Sequence, residues 1–262
     1  MPELPEIETL CRQLRRVVVG AEISQTQIID QKLGTIEGLE GKQVYAIHRH
    51  GKALSLELQG NLSLLFHLRM TGRLLWQRAN GLLPHTRLVI SFTQGRLVLI
   101  DVRRFATVTL HKQGYGPPVG KNPLEEFTPA HLWDMARYST LAIKSFLMDQ
   151  RRIAGIGNIY ACEILHQARM DPWRKVNSLS HAEWQGIGEA AIEILTWAIA
   201  CRGTSISDWR DLFGNKGEHQ EYLLVYAREG IECYTCGGEI KRKKLSGRGT
   251  YYCPTCQNCE GG

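Results

Sequence analysis

A proline nitrogen at the head of a chain is a potential reagent, and Met1-Pro2-Glu3-Leu4-Pro5-Glu6 presents one, flanked by carboxylates, once Met1 is trimmed. A terminal proline is a secondary amine, so its attack on an aldehyde carbon yields a cationic iminium directly. That is covalent amine catalysis without a lysine. An α-amino group has a reference pKa near ~8, which leaves a useful fraction neutral at physiological pH. The same residues also fit a plain helix start, with Pro5 at the first helical position and Glu3, Glu6 and Glu8 near its positive end.

The other end of the chain carries a second chemistry. Cys233-Tyr-Thr-Cys236 and Cys253-Pro-Thr-Cys256 form two knuckles whose four thiolates match a tetrahedral structural zinc site. Four sulfur ligands leave no open position, so this zinc is expected to organise structure and not to activate water. Between the knuckles run Lys241-Arg-Lys-Lys244 and Arg248 with no acidic residue among them, followed by Tyr251 and Tyr252 on an expected return strand. A zinc-pinned basic hairpin suits phosphate contact, although a solvated charged face explains the charge run equally well. Cys259 is close enough in sequence to compete as a ligand and reads instead as a tail residue.

The elements that must position these groups follow from periodicity. Ile7, Leu10, Leu14, Val17 and Val18 form a helical stripe over 5–19 that stops at Gly20. From about 42 to 111 the period drops to two, as in Leu54, Leu56 and Leu58 against Ser55 and Glu57. Short strands divided by polar turns such as Thr93-Gln-Gly-Arg96 predict a β-sandwich. The breaker cluster Gly114–Gly120 reads as a linker. Residues 123–226 read as helical, and Ser180-His-Ala-Glu183 is a capping-box pattern opening a long helix to about Ala200. Residues 203–220 read as a loop of functional length. The last block is too small for its own core and needs the metal. The expected fold is therefore α+β, with a β-sandwich and N-terminal helix in residues 1–115, a helical domain in 123–226 and a zinc-finger hairpin in 228–262.

Composition sets the outer limits. A chain of 262 residues with 43% hydrophobic content supports a proper core, and a net charge of +6 favours a polyanionic partner. No apolar run approaches the ~20 residues that span a bilayer. The acidic, amphipathic start does not read as a signal peptide, and CxxC pairs without an export signal read as metal before disulfide.

Several motifs, taken in order, carry a resemblance that covers essentially the whole chain. They are the opening Pro2-Glu-Leu-Pro-Glu6, His50-Gly-Lys52, His67-Leu-Arg-Met70-Thr-Gly72, Asp101-Val-Arg103-Arg-Phe105, Ile153-Ala-Gly-Ile-Gly-Asn158-Ile-Tyr160 and the Arg248 hairpin between its cysteine pairs. Together they resemble the formamidopyrimidine-DNA glycosylase and endonuclease VIII family of base-excision repair enzymes, and Leu4 resembles the formamidopyrimidine branch. The resemblance implies that Pro2 is the nucleophile, Glu3 its acid/base partner and Glu6 a supporting carboxylate. Lys52 would reach the DNA backbone near the lesion. Met70, Arg103 and Phe105 would fill the space left by the extruded nucleotide, offsetting part of the few kcal/mol that flipping costs.

Asn158, in the turn of a helix–two-turn–helix element, and Arg248 would bind phosphates. Residues 204–217 resemble the lesion-capping loop. Ala106 departs from the glycine usual at the end of its loop, so a different backbone conformation is expected there. The implied activity is a bifunctional glycosylase and abasic-site lyase that removes oxidised purines and cleaves by β,δ-elimination. Its partner is damaged double-stranded DNA, its one cofactor a structural zinc ion (Zn2+), with no small-molecule cofactor and no membrane, as a monomer in the cytoplasm. Two other readings stay open: an endonuclease VIII-like enzyme for oxidised pyrimidines, and a non-catalytic lesion-binding protein.

Overall fold

The computed structural model describes residues 1–79, 81–112, 116–117 and 120–259. Most of the expected linker over 114–120 lies outside the described residues. The chain forms two compact units, one of Met1–Pro117 with Ile199–Gln220 and another of Pro118–Ala198 with Glu221–Gly262.

In the first unit α1 (Leu4–Val18) forms because its apolar stripe recurs at helical spacing, and Ile7, Leu10, Leu14 and Val18 are fully buried. Glu3 and Glu6 close a capping box at its start, in which the Glu3 N–H donates to Glu6 Oε2 at 2.7 Å. The helix packs with two four-stranded antiparallel sheets. One has the order β1 (Ile23–Ile28), β6 (Thr86–Phe92), β7 (Gly95–Ile100), β5 (Arg73–Gln77). The other runs β2 (Val44–His50), β3 (Ala53–Leu58), β4 (Leu62–His67), β8 (Thr107–Lys112). Alternation sends Leu54, Leu56, Leu64, Phe66, Leu88, Ile90, Leu97 and Leu99 into one shared core, the expected sandwich. Trp209 and Leu212 join that core from the Ile199–Gln220 segment, and the Trp76 N–H donates to the Leu212 carbonyl at 2.7 Å.

The second unit holds α2 (Pro129–Ala136), α3 (Ile143–Leu147), α4 (Asn158–Gln167), most of α5 (His181–Ala200) and the hairpin β9 (Lys241–Leu245)–β10 (Arg248–Tyr252). The capping box that opens α5 forms as expected. Ser180 N donates to Glu183 Oε2 at 2.7 Å, and Glu183 N donates back to Ser180 Oγ at 3.3 Å. Tyr251 and Tyr252 lie on the return strand, paired with Arg242 and Lys241. Among the described residues, no helix is long and apolar enough to cross a membrane.

Candidate active site and zinc centre

Pro2, Glu3 and Glu6 are all buried at the start of α1. Glu6 divides its carboxylate: Oε2 takes the Glu3 N–H, and Oε1 takes the Thr204 N–H at 2.8 Å. Gly203 makes this possible, since a Cβ there would stand 2.6 Å from Glu6 Oε1 and its φ of +83° is left-handed. The first residue of the 204–217 loop is thereby fastened to the helix that presents the proline. Gln13, about two turns further along α1, fastens the far side of the loop. Its Nε2 donates to Asp211 Oδ2 at 3.0 Å and its Oε1 accepts the Leu212 N–H at 2.9 Å. At the loop's end, burial pushes the His219 imidazole down to about 4, and its Nδ1 meets Thr204 Oγ1 at 3.1 Å.

Lys52 sits in the turn between β2 and β3 and is 8% exposed. Across the sheet, cross-strand pairing sets His50 opposite Ala53 and Ala53 opposite His67. Burial, then the nearby Arg69 and Lys52 charges, push the His67 imidazole down to about 4, so it is neutral beside the lysine at physiological pH.

Met70 meets Arg103 and Phe105 although the three strands β5, β6 and β7 separate them in sequence. Arg103 Nη1 lies 3.3 Å from Met70 Sδ, and the Arg103 guanidinium stacks 4.7 Å from the Phe105 ring centroid. Met70 and Phe105 remain about half exposed, at 49% and 46%, which is unusual for large apolar side chains and leaves them free to insert elsewhere. Asp101, 1% exposed, is the post that holds this cluster. Its Oδ1 accepts Thr71 Oγ1 at 2.5 Å and the Arg103 N–H at 3.2 Å, while Oδ2 accepts the Ala106 N–H at 2.7 Å.

Arg104 takes a left-handed φ of 58°, a conformation held from outside the loop. Asp30 grips its guanidinium, Lys32 Nζ donates to its carbonyl at 3.1 Å, and Arg87 bridges Asp30 and Asp101. Ala106 keeps a φ outside the left-handed region, so the loop ends without needing glycine. Gly72 is the residue that must stay small there, because a Cβ would meet Leu68 O at 2.4 Å and the Ala106 methyl at 3.0 Å.

Burial raises the Asp101 carboxyl, but the hydrogen bonds from Thr71 and the 103–106 amides outweigh it and hold the group below its ordinary value. The hydrogen bond from Arg104 does the same for Asp30, against a smaller opposing effect of burial. Groups depressed in the folded state stabilise it above their unfolded pKa, near ~4, and lose that contribution as pH falls through the folded value. Asp101→Ala is expected to cost about 3 kcal/mol at pH 7, because it removes one of the two carboxylates that hold buried Arg87 and the acceptor of the buried Ala106 amide, the Arg103 amide and the Thr71 hydroxyl. The cost should shrink in acid below about pH 4. Urea unfolding at pH 7 and pH 3 checks both, and a neutral-pH loss under about 1 kcal/mol contradicts the role given to Asp101.

In the second unit Asn158 opens α4 in the glycine turn as expected, with its amide committed inside the protein. Lys144 Nζ donates to Asn158 Oδ1 at 2.7 Å, and Asn158 Nδ2 donates to the Gly249 carbonyl at 3.0 Å. Lys144, 1% exposed, also bonds Gly249 O and Thr250 Oγ1. The turn and the hairpin strand that carries exposed Arg248 are thus one hydrogen-bonded piece. Gln150 holds the turn itself, accepting the Gly155 N–H at 2.9 Å and donating to the Ile156 carbonyl at 2.7 Å.

The Cys233, Cys236, Cys253 and Cys256 sulfurs all lie within 4.8 Å of one another. Ligands at ~2.3 Å around a tetrahedral zinc are separated by distances of this size, so the donor set fits the ion in number, type and spacing. Cys259 stays outside the group, its N–H bonded to the Pro254 carbonyl at 3.1 Å. Bound there, zinc supplies cross-linking and no reactive position.

Comparison with known proteins agrees with this arrangement along the whole chain. Residues 1–108 match the formamidopyrimidine-DNA glycosylase N-terminal domain, 119–209 the formamidopyrimidine-DNA glycosylase H2TH domain, and 230–258 the zinc finger found in FPG and IleRS. A formamidopyrimidine-DNA glycosylase of Carboxydothermus hydrogenoformans is 37% identical over 98% of this chain and 100% of its own. One from Gluconobacter oxydans is 39% identical over 98% and 100%. Among solved structures, Lactococcus lactis Fpg in complex with DNA containing an abasic site superposes with a TM-score of 0.92 at 34% identity, covering 98% of this chain and all of that one. The MutM (Fpg) protein of Thermus thermophilus gives 0.89 at 35% identity over 98% and 99%. A β-sandwich led by a capped Pro-Glu helix, a helical H2TH unit and a four-cysteine finger define a DNA glycosylase of base excision repair. The chain belongs to the formamidopyrimidine-DNA glycosylase family.

Several of the residues that build the site carry no local signature. Glu6 and Thr204, and likewise Gln13 and Asp211, are 198 positions apart in sequence. Asp101 lies inside a recognised motif, but its role as an acceptor for three segments emerges only from the fold.

Proposed function

We propose that the chain removes oxidised purines, 8-oxoguanine and formamidopyrimidines, from duplex DNA and then cleaves the strand. The observation that carries this reading is Glu6, whose one carboxylate fastens both the start of the Pro2-Glu3 helix and the first residue of the 204–217 loop. A group that attacks the sugar and a loop that receives its base have to be built from one rigid piece.

With Met1 removed, the Pro2 nitrogen attacks the sugar anomeric carbon as the base leaves with the bonding electrons. Glu3 moves the protons that ring opening requires. The resulting iminium draws electrons from the adjacent carbon, acidifies its proton and permits β- and then δ-elimination. A one-nucleotide gap with phosphates on both sides remains. Met70, Arg103 and Phe105 occupy the vacated stack, and Lys52, Asn158 and Arg248 hold the backbone. Residues 1–115 carry the chemistry with the 204–217 loop in their service, 123–226 the helix–two-turn–helix contacts and 228–262 the zinc finger. The protein works as a monomer in the cytoplasm, on the nucleoid when bound to DNA.

Incision of duplexes carrying 8-oxoguanine opposite cytosine, with electrophoresis of the ends, tests the reading. Both ends phosphorylated, at a rate well above that on an oxidised-pyrimidine duplex, is the expected outcome. Faster cutting of the oxidised pyrimidine assigns the endonuclease VIII type of substrate instead. Arg248→Ala should weaken binding and flatten the dependence of log affinity on log salt by about 0.9, one phosphate contact's worth. Fluorescence anisotropy across a salt series reads it, and an unchanged slope removes Arg248 from the phosphate contacts.

A further inference from the structure

One face of α4 packs against the zinc finger and the segment that leads into it. Cys162 is buried in a small cluster with Val225, Cys233, Ile240 and Cys253. Its neighbour Glu163, 1% exposed, accepts the backbone N–H groups of Leu224, Val225 and Tyr226 at 2.7, 3.1 and 2.8 Å. One turn on, His166 is 4% exposed and places Nε2 3.5 Å from Cys233 Sγ, while its Nδ1 has no hydrogen-bond partner among the described residues.

Chemistry fixes the direction of the histidine contact. A zinc-bound cysteine is a thiolate and can only accept a hydrogen bond. A neutral imidazole has one N–H, and of its two nitrogens only Nε2 has an acceptor here. The proton therefore sits on Nε2 and points at the Cys233 sulfur.

We infer that His166 is an outer-sphere donor to the Cys233 thiolate, which makes helix α4 part of the zinc site. Four thiolates around Zn2+ leave two excess negative charges, with Cys233 and Cys253 buried, and each N–H aimed at a sulfur stabilises them. Gly238 and Cys256 supply backbone donors from within the finger, to Cys236 and Cys253 at 3.4 Å each. His166 supplies one from outside it. The helix that opens with Asn158 in the glycine turn thus ends at the metal, so zinc occupancy and the placement of that turn are linked through one rigid element.

Chelator competition on the full-length zinc protein tests the assignment. His166→Phe fills the same space without a donor and is expected to loosen zinc about tenfold, the low end of the range for lost outer-shell partners. His166→Gln keeps an N–H and should recover most of that affinity. In the cobalt-substituted protein His166→Phe should shift the sulfur-to-metal charge-transfer band to lower energy and leave the four-sulfur ligand-field bands in place.

A reading independent of any variant comes from the cadmium-113 form. Scalar coupling between the metal and the His166 Nε2 proton across the N–H···S bond is expected. Zinc affinity unchanged in a folded His166→Phe protein would overturn the inference. So would an imidazole protonated on Nδ1 in the metal-loaded parent, or a cobalt spectrum showing nitrogen in place of one sulfur.

Discussion

Glu3→Gln should abolish release of the oxidised base while leaving affinity for the lesion duplex within about twofold. General acid–base groups contribute about 10²–10⁴-fold, and Glu3 is the carboxylate adjacent to the proposed nucleophile, so single-turnover base release should fall by at least 10²-fold. The structure makes this substitution unusually clean. Glu3 is 3% exposed and is the N-cap of α1. A glutamine carbonyl can still accept in the capping box, and the backbone N–H that Glu6 holds is untouched, so the helix start survives. The change removes an ionisable oxygen without removing a phosphate contact. Rapid-quench assays paired with anisotropy titrations separate the two quantities. Turnover at the parent rate would withdraw the proton-handling role from Glu3, and a parallel loss of binding would make it structural.

Removing zinc should have the broader effect. The buried cluster around the finger holds Cys162, Val225, Cys233, Ile240 and Cys253, too few residues to keep 230–258 folded without a cross-link. Structural zinc contributes about 10–16 kcal/mol in isolated fingers, far more than a cluster of that size provides. Chelation should therefore melt β9–β10. It should also release the Lys144–Gly249 and Asn158–Gly249 bonds and scatter Arg248, lowering DNA affinity by at least 10²-fold. The β-sandwich has a separate core and should keep its spectrum. Metal analysis, near-ultraviolet circular dichroism and anisotropy on one sample follow all three events. Full affinity after verified loss of zinc would mean that the hairpin stands without it.

The two ends of the chain and the architecture between them were legible in the sequence because each has a local cause. The α1 stripe, the alternation in β3, the Ser180 capping box and the cysteine spacing each depend on residues a few positions apart. The resemblance added Met70, Arg103 and Phe105, and the fold brings these together. The supports were not legible. Asp101 gathers three segments, Asp30 holds Arg104 left-handed from another strand's end, and Glu6 and Gln13 clamp a loop almost two hundred residues away.

A carboxylate or amide whose partner is a distant backbone N–H leaves no periodic trace. The loop around Trp209 and Leu212 shows the same limit: it forms neither helix nor strand, yet these two residues complete the sandwich core. Ala106 is the reverse case. The resemblance pointed to a changed loop backbone, but its φ is ordinary and the steric constraint falls on Gly72.

Borohydride trapping of the Met1-free protein on a duplex with 8-oxoguanine opposite cytosine, followed by peptide mapping, tests amine catalysis by Pro2. A covalent adduct mapped to the Pro2 nitrogen is the expected result, since borohydride reduces an iminium to a stable amine link at the atom that formed it. An adduct on a lysine would move the amine chemistry away from Pro2, and none on this duplex or on an oxidised pyrimidine would leave a protein that binds lesions without cutting them; either result contradicts amine catalysis by Pro2.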